Sequence, residues 1–318
     1  MKHRPVLLDE TIRWLNPQPG QRFCDMTVGG GGHTRALLQA VGTAGCVFGI
    51  DRDGELLRET TQELRNEGYG EERFQAVAGN FGDIDVLLGA ARLGEFDGFV
   101  ADLGAASPHL DRPERGFSFR EPGPLDMRFD RSGGPTLKEA LQALDEASVR
   151  RAIWEYGEDR FASRIARAIV EARDAGRLTD TQALADVIRG AYPARARHAS
   201  RIDPATRAFQ ALRIVVNAEL ESVERGLRAV LDGMKAGSRL VVISFHSLED
   251  RIVKRLFRAA SEGVQNLYGH RSAAPARELF RRPVTPGEME IAGNPRARSA
   301  KLRALEKLAD GKIDVSRV

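Results

Sequence analysis

Four consecutive glycines, Gly29 to Gly32, constrain this chain more than any other stretch. They stand within Asp25-Met-Thr-Val-Gly-Gly-Gly-Gly-His33, after an apolar run and ahead of an amphipathic segment that begins at Thr34. This order predicts a strand, a glycine turn and a helix, the unit that opens many α/β nucleotide-binding folds. Glycine has no Cβ, so a ligand can approach the backbone of the turn, and the helix behind it presents free N–H groups.

Apolar runs of strand length recur along the chain and alternate with helical patterns. The predicted strands are Arg22–Thr27, Cys46–Asp51, Arg73–Ala78, Phe96–Leu103 and Arg239–Phe245. The alternation predicts a doubly wound α/β fold with a parallel sheet. From about residue 111 to residue 213 only helical patterns occur, which predicts a helical insertion. We expect one long helix from Asp203-Pro204 to about Met234, and a short helix near the C-terminus.

The net charge of +3 is unevenly distributed. Residues 1–149 contain 16 Lys and Arg against 24 Asp and Glu, whereas residues 150–213 contain 13 against 8. Residues 271–318 are also basic, with 11 against 6. Basic segments beside a small-molecule pocket suggest a polyanionic substrate, although ordinary solvated Arg-rich helices would give the same charge.

Several classes of protein are disfavoured by composition. No apolar run approaches the roughly 20 residues of a membrane span, and the first residues lack the apolar stretch of a signal peptide. Cys24 and Cys46 fall in predicted strands and are interpreted as core thiols of a reducing compartment. No His, Asp and Glu cluster has metal-ligand spacing. We therefore expect a cytoplasmic protein without a metal site.

The glycine turn favours S-adenosylmethionine over a dinucleotide. It lacks the Lys-Ser/Thr of a phosphate-binding loop, and His33 and Thr34 interrupt the dinucleotide fingerprint. Asp51 ends the second predicted strand, where an acidic residue typically holds ribose hydroxyls. A tight turn without any ligand is the alternative interpretation.

Polar residues at other strand ends are further candidates. Asp102 follows the fourth predicted strand, where it can accept a hydrogen bond from adenine, from the methionine ammonium or from a substrate amine. A loop-closing Asp is the alternative. Ser107 can fix the loop or lie near the reacting atom, whereas His246, at the end of the last strand, is more often a structural residue than a base.

Two groups of basic and polar residues are candidates for RNA contacts. Arg207, Gln210 and Arg213 fall at a helical spacing of three and share one face. Arg296, Arg298 and Lys301 lie within six residues of one another. Further basic residues precede the first group, at Arg195, Arg197, His198 and Arg201. Aromatic residues are sparse among them, which favours a folded RNA or a ribonucleoprotein over a long single strand.

Long motifs run through the chain in the order His3–Glu10, Asp25–His33, Asp102–Asp111, Arg115–Phe119, Gly123–Arg128, Pro204–Arg213, Ile243–Arg251 and Asn294–Arg303. Together they resemble the RsmH/MraW family of bacterial ribosomal RNA small-subunit methyltransferases. The resemblance implies methylation of N4 of a cytidine in the decoding region of 16S rRNA, with S-adenosylmethionine as cofactor. It implies a cofactor site made of Gly31, Gly32, His33, Asp51, Phe81, Asp102 and His109. This chain has His109 where the family usually has Gln, and Ala106 where a second Ser is usual.

We therefore predict a Rossmann-like class I methyltransferase core of residues 1–111 and 214–318, with residues 112–213 as a substrate-recognition domain. Asp102 or the carbonyl of Leu103, with Ser107, is predicted to hold the cytosine amine so that its lone pair faces the methyl group. An NAD-dependent oxidoreductase and a non-catalytic RNA-binding assembly protein are the alternatives. The sequence allows a homodimer but does not require one.

Overall fold

The computed structural model describes residues 5–199, 202–262 and 273–313, so His3 and Arg201 lie outside the described residues. The chain divides into two compact units. The first contains residues 1–104 and 220–318, and the second contains residues 105–219. Compared with the predicted insertion of 112–213, the second unit begins seven residues earlier and ends six residues later.

Seven strands and fourteen α-helices are formed by the described residues. The strands are β1 (Arg22–Asp25), β2 (Cys46–Asp51), β3 (Phe74–Ala78), β4 (Gly98–Asp102), β5 (Arg239–Ser244), β6 (Ala276–Glu278) and β7 (Lys301–Lys307). The helices are α1 (Leu8–Leu15), α2 (Gly32–Ala40), α3 (Gly54–Asn66), α4 (Ile84–Leu88), α5 (Ser107–Asp111), α6 (Leu137–Ala143), α7 (Glu146–Gly157), α8 (Ala162–Asp174), α9 (Thr181–Ala191), α10 (Ala194–Ala199), α11 (Ala205–Asn217), α12 (Glu219–Gly233), α13 (Ser247–Ala260) and α14 (Glu288–Gly293).

The strands form one sheet in the order β3-β2-β1-β4-β5-β7-β6. Strands β1 to β5 are parallel, and β7 runs antiparallel to β5 and β6. The order reverses between β1 and β4, which is the point where doubly wound folds bind ligands beyond the carboxyl ends of the strands. The predicted fold class is confirmed.

The sheet has an apolar layer on each face. Leu240 and Val242 belong to one apolar cluster, whereas Val241 and Ile243 belong to another. Successive side chains of a strand point to opposite faces, so the two clusters lie on opposite sides of β5. Burial on both faces explains why β5 is a continuous apolar run in the sequence.

Two secondary-structure predictions are wrong. The segment after residue 300 is the strand β7, although Leu302, Ala304 and Leu305 are good helix formers, because pairing with β5 outweighs local propensity. The predicted long helix is two helices, since Ala218 adopts a left-handed conformation with φ of 48° between α11 and α12. Strand β6 and the short helices α5, α10 and α14 were not predicted.

The described residues of the second unit form helices and no strand, as the sequence pattern predicts, and residues 116–136 form a loop without regular structure. Its core contains Ile165, Leu184 and Phe209 from three different helices. Helices α7 and α11 approach closely at Gly157. A Cβ added there would lie 2.9 Å from the carbonyl oxygen of Arg207. Asp203 lies one residue before Pro204, the N-cap of α11, and its carboxylate accepts a hydrogen bond from the Ala205 N–H at 2.9 Å.

Candidate active site

The last residue of β1 ties that strand to the helix behind the glycine turn. Asp25 is buried, and its carboxylate accepts hydrogen bonds from the Thr27 N–H at 3.0 Å and from the Thr34 hydroxyl at 2.6 Å. Burial raises the pKa of Asp25, and the hydrogen bond from Thr34 opposes that rise. Because Thr34 lies in the first turn of α2, Asp25 fixes where the turn begins and ends.

The glycines of the turn face different surroundings. A Cβ added at Gly31, where φ is +74°, would lie 2.6 Å from the Thr60 methyl group, and one at Gly32 would lie 2.0 Å from Cγ of Pro5. A Cβ at Gly30 would have no atom of the described residues within 4 Å. Packing alone therefore requires glycine at 31 and 32, whereas the side of the turn at Gly30 is open to a ligand.

Asp51, at the end of β2, holds the same turn from the neighbouring strand. One of its carboxylate oxygens accepts from the Gly29 N–H at 2.6 Å and the other from the Asp53 N–H at 2.8 Å. Each carboxylate oxygen can accept a second hydrogen bond, so these contacts are compatible with a bound ribose.

Asp102 ends β4, the strand on the other side of β1. Its N–H donates to the Thr27 hydroxyl at 2.7 Å, and its carboxylate lies 3.5 Å from Nε2 of His33. Within the described residues, neither ring nitrogen of His33 nor Oδ1 of Asp102 makes a hydrogen bond of normal geometry, although these atoms are buried. Unpaired buried polar groups are costly, so this pair favours a ligand that offers hydrogen-bonding groups.

The charge of His33 is set by two carboxylates. Burial of the ring lowers its pKa, but the carboxylates of Asp102 and Asp25 outweigh this effect, so the pKa of His33 is raised from its ordinary value. The 3.5 Å separation from Asp102 is long for a hydrogen bond, and we attribute the rise mainly to charge.

Phe81 follows β3 and begins a short 3-10 helix, Phe81–Asp83. Asn80 caps this helix by accepting from the Gly82 N–H at 2.9 Å, and it donates to the Ser222 hydroxyl at 2.8 Å. A Cβ added at Gly226 of α12 would lie 2.6 Å from the Phe81 carbonyl oxygen. The glycine turn with His33, Asp51, Phe81 and Asp102 follow or end β1, β2, β3 and β4 respectively. The residues of the first unit that are predicted to bind cofactor thus all lie at the carboxyl ends of these strands.

Comparison with known proteins identifies the family of this chain. Residues 1–308 match the MraW methylase family. The chain belongs to this family. It is 48% identical to the ribosomal RNA small subunit methyltransferase H of Trichlorobacter lovleyi, with 96% of this chain and 98% of that protein aligned. It is 46% identical to the proteins of the same name from Pelobacter propionicus and Geobacter sulfurreducens, with 96% of this chain and 99% of each relative aligned.

Membership of a methylase family makes this chain a methyltransferase that uses S-adenosylmethionine, as predicted. The site fits this cofactor, because the open side of the turn lies at Gly30 and the unpaired polar atoms belong to His33 and Asp102. The family favours methyl transfer over the nicotinamide-dependent and non-catalytic alternatives. The described residues contain no group of His, Cys, Asp or Glu placed to hold a metal ion. None of the helices they form is long and apolar enough to cross a membrane.

In the second unit of this methylase, Ser107 and His109 lie on the short helix α5. Ser107 is its first residue, and Nδ1 of His109 accepts from the Ala106 N–H at 3.1 Å. The His109 ring stacks on Phe117, with ring centroids 5.2 Å apart, and contacts Phe129. His109 thus caps its own helix, while its predicted contact with cofactor stays a prediction.

The predicted RNA face of α11 makes contacts within the second unit. Arg207 and Gln210 donate to carbonyl oxygens at the end of α7, those of Glu158 at 3.3 Å and Tyr156 at 3.0 Å. Arg213 forms a two-pronged ion pair with Glu219, at 2.8 and 3.0 Å. Arg207 is exposed, whereas the ion pair of Arg213 is largely buried. Arg213 therefore has a structural partner, which the helical spacing did not reveal.

The C-terminal basic residues of the first unit also differ from one another. Arg296 and Arg298 lie on a short 3-10 helix, Pro295–Ser299, and Arg298 is exposed. Lys301 begins β7, and its ammonium lies 3.1 Å from the carboxylate of Asp250 on α13. Asp250 also accepts from Arg303 at 2.7 Å, so Lys301 belongs to an ion-pair network.

Several residues at the site were not predicted to act there. Asp25, Thr27 and Thr34 link β1, β4 and α2, and Asn80 caps the helix that carries Phe81. Their short polar side chains at strand ends were the available signal. His246 caps α13, with Nδ1 3.4 Å from the Glu249 N–H, in agreement with the structural interpretation of that residue. Of the two cysteines, Cys24 is buried and Cys46 is partly buried.

Proposed function

We propose that this chain methylates N4 of a cytidine in the decoding region of 16S rRNA, within the small ribosomal subunit. The family and the names of the relatives support an RNA of the small subunit as substrate. The observation that carries the chemistry is the pair of His33 and Asp102 beside the open glycine turn, where the ring nitrogens of His33 and Oδ1 of Asp102 are buried and make no hydrogen bond within the described residues.

The cofactor would be held by residues at the carboxyl ends of four parallel strands. The open side of the turn at Gly30, Asp51, Phe81 and the pair of His33 and Asp102 would surround it. When bound, S-adenosylmethionine supplies an electrophilic methyl group on a sulfonium. The negative charge of Asp102 suits a ligand that carries an ammonium and a sulfonium.

An exocyclic amine of cytosine is a weak nucleophile because its lone pair is delocalised into the ring. Orientation of the amine, with the reacting atoms about 3–3.5 Å apart, would supply a large part of the rate enhancement. Acceptors for the amine protons achieve this orientation, and Asp102 and the Leu103 carbonyl are the candidates in the first unit. Ser107 is the candidate in the second unit. We propose this unit as the substrate-recognition domain, in which Arg207 and Gln210 contact the RNA.

The substitution Asp102→Asn tests the site. It keeps the shape of the side chain but replaces a charged acceptor with an amide, and hydrogen bonds to charged groups contribute about 1.5–3 kcal/mol. We expect at least about a tenfold loss. A loss in S-adenosylhomocysteine affinity, measured by titration calorimetry, would assign Asp102 to the cofactor. A loss in single-turnover rate at saturating cofactor would assign it to the amine, and no change in either would remove Asp102 from the mechanism.

A further inference from the structure

Helix α13 carries a stripe of positive charge, of which only the first residue, Arg251, falls within a family motif. Its basic residues are Arg251, Lys254, Arg255 and Arg258, and all of them are exposed. They are spaced at three, four and seven residues from the first, so they share one face of the helix. The opposite face packs into the core through Val253, Leu256 and Phe257. Seven residues of α-helix rise by roughly 10 Å, so the stripe is an extended feature.

The acidic residues of α13 have partners outside this stripe. Glu249 and Asp250 are buried in the first turn, where Glu249 accepts from the Phe245 N–H and Asp250 pairs with Lys301 and Arg303. Arg255 and Arg258 lie 3.6 Å from Glu224 and Glu262 respectively, in solvent-exposed pairs. Such exposed pairs contribute little and exchange readily, so both guanidinium groups remain available to another anion.

Neighbouring elements add to the same positive region. Burial raises the pKa of Glu278 on β6, and the charges of Arg303, Arg258, Arg281 and Lys254 oppose that rise. The carboxylate of Glu278 therefore interacts with cations on α13, on β7 and in the segment after β6. Arg281 and Arg282 in that segment are exposed.

The stripe begins at the edge of the sheet where the candidate active site lies. Strand β5 ends at Ser244, and α13 starts three residues later, so its first turn is at the carboxyl edge. Ile243 of β5 is in register with Asp102 of β4, and Ser244 is in register with Lys301 of β7. From this edge the stripe runs along the helix layer that covers the sheet.

We infer that the basic face of α13 binds the phosphodiester backbone of the RNA that flanks the target nucleotide. This inference rests on the proposed function and extends it to a surface outside the family motifs predicted to bind RNA. An anionic membrane is the other extended polyanion, but the exposed large apolar residues of the described chain, Val86, Trp154, Ile202, Met289 and Leu308, all lie outside α13. Helices that bind membranes by their own face need such residues to enter the bilayer.

The test compares two double variants that remove the same charge. Lys254→Gln with Arg258→Gln neutralises the stripe and keeps good helix formers. Arg58→Gln with Arg65→Gln is the matched control, since both residues are exposed on α3. This helix lies beside β3, the edge strand of the sheet opposite β6. Each pair contains one arginine in an exposed ion pair, Arg258 with Glu262 and Arg65 with Glu71.

Binding to purified small ribosomal subunits is measured against salt concentration, with S-adenosylhomocysteine affinity measured in parallel. For the α13 variant we expect at least about tenfold weaker subunit binding, and a slope of log K against log salt that is shallower by about 1.4–1.8 for two lost phosphate contacts. The control variant should stay within about twofold of wild type. Both variants should keep wild-type affinity for S-adenosylhomocysteine.

Equal effects of the two variants, or no effect of either, would overturn the inference. Loss of binding to anionic lipid vesicles with unchanged subunit binding would assign the stripe to a membrane surface instead. Wild-type protein that binds the subunit without methylating its rRNA would contradict the proposed function alone. Wild-type protein that does not bind the subunit would contradict both.

Discussion

Adjacent glycines of the turn allow the effect of a lost ligand to be separated from the effect of a lost fold. A side chain at Gly30 would point into open space, whereas one at Gly31 would meet Thr60 and Arg35 at a positive φ. We expect Gly30→Val to weaken S-adenosylhomocysteine binding by at least about tenfold, or 1.4 kcal/mol, with little change in melting temperature. Gly31→Val should lower the melting temperature as well. Wild-type affinity in a folded Gly30→Val protein would place the ligand elsewhere.

The raised pKa of His33 gives a prediction about pH. Its imidazolium is favoured in the folded protein, so its contribution to stability is present below the ordinary pKa, about 6.5, and is lost as pH rises through the raised value. Asp25→Asn removes one of the two carboxylates that raise this pKa, and Asn retains an oxygen for the backbone hydrogen bond. The loss should then occur at lower pH.

NMR titration of the imidazole groups measures this shift directly, with His33→Gln to assign the signal. The chain has six histidines, and the midpoints of the other five should not change in Asp25→Asn. An unchanged midpoint for His33 would show that Asp25 does not act on its charge.

Some of the site could be predicted from individual residues, and some could not. Asp51, Asp102 and His33 were foreseeable because they follow predicted strands or the turn, and the topology of parallel strands brings such positions to one edge. The partner of Arg213 could not be foreseen, since Glu219 reaches it only through the break at Ala218. Likewise, nothing in the spacing showed that Gly32 packs against Pro5.

At the scale of helices, the break between α11 and α12 gives a prediction about stability. Ala218 is exposed and left-handed, a conformation that costs an L-residue roughly 1–2 kcal/mol and costs glycine little. We expect Ala218→Gly to stabilise the protein by about 0.5–1 kcal/mol, as seen in urea unfolding. Ala168→Gly is the control, because Ala168 lies in the middle of α8, where glycine should be destabilising. A loss of stability in Ala218→Gly would contradict the helix break.

Elements defined by hydrophobic pattern were predicted well, and those defined by tertiary pairing were not. Strand β2 has the predicted boundaries, because it is a short apolar run that ends at Asp51. Strand β7 was mistaken for a helix because its residues have high helix propensity and its strand character comes from β5. The break at Ala218 has no glycine to mark it, which explains the prediction of one long helix.

At the scale of the whole molecule, the sequence predicted a parallel α/β core with a helical insertion, and the structure has a first unit of that fold and a helical second unit. The charge is also divided along the chain: the acidic residues 1–149 contain the glycine turn, and the basic segments 150–213 and 271–318 follow. The basic stripe of α13 has no counterpart in the charge of its segment, because residues 214–270 are almost neutral in sum. Only the fold shows that the acidic residues of α13 are buried while its basic residues are exposed. Homodimer formation stays a prediction.

The most direct measurement is the identification of the methylated nucleoside. Small ribosomal subunits from cells that lack this protein are incubated with S-adenosylmethionine and purified wild-type or Asp102→Asn protein, and the 16S rRNA is digested and analysed by mass spectrometry. Wild-type protein should add one methyl group to N4 of a single cytidine in the decoding region, and the variant should add it more slowly or only at higher cofactor concentration. Methylation of another base, of the cytosine C5 position or of a ribose hydroxyl, or no methylation at all, would contradict the proposed function.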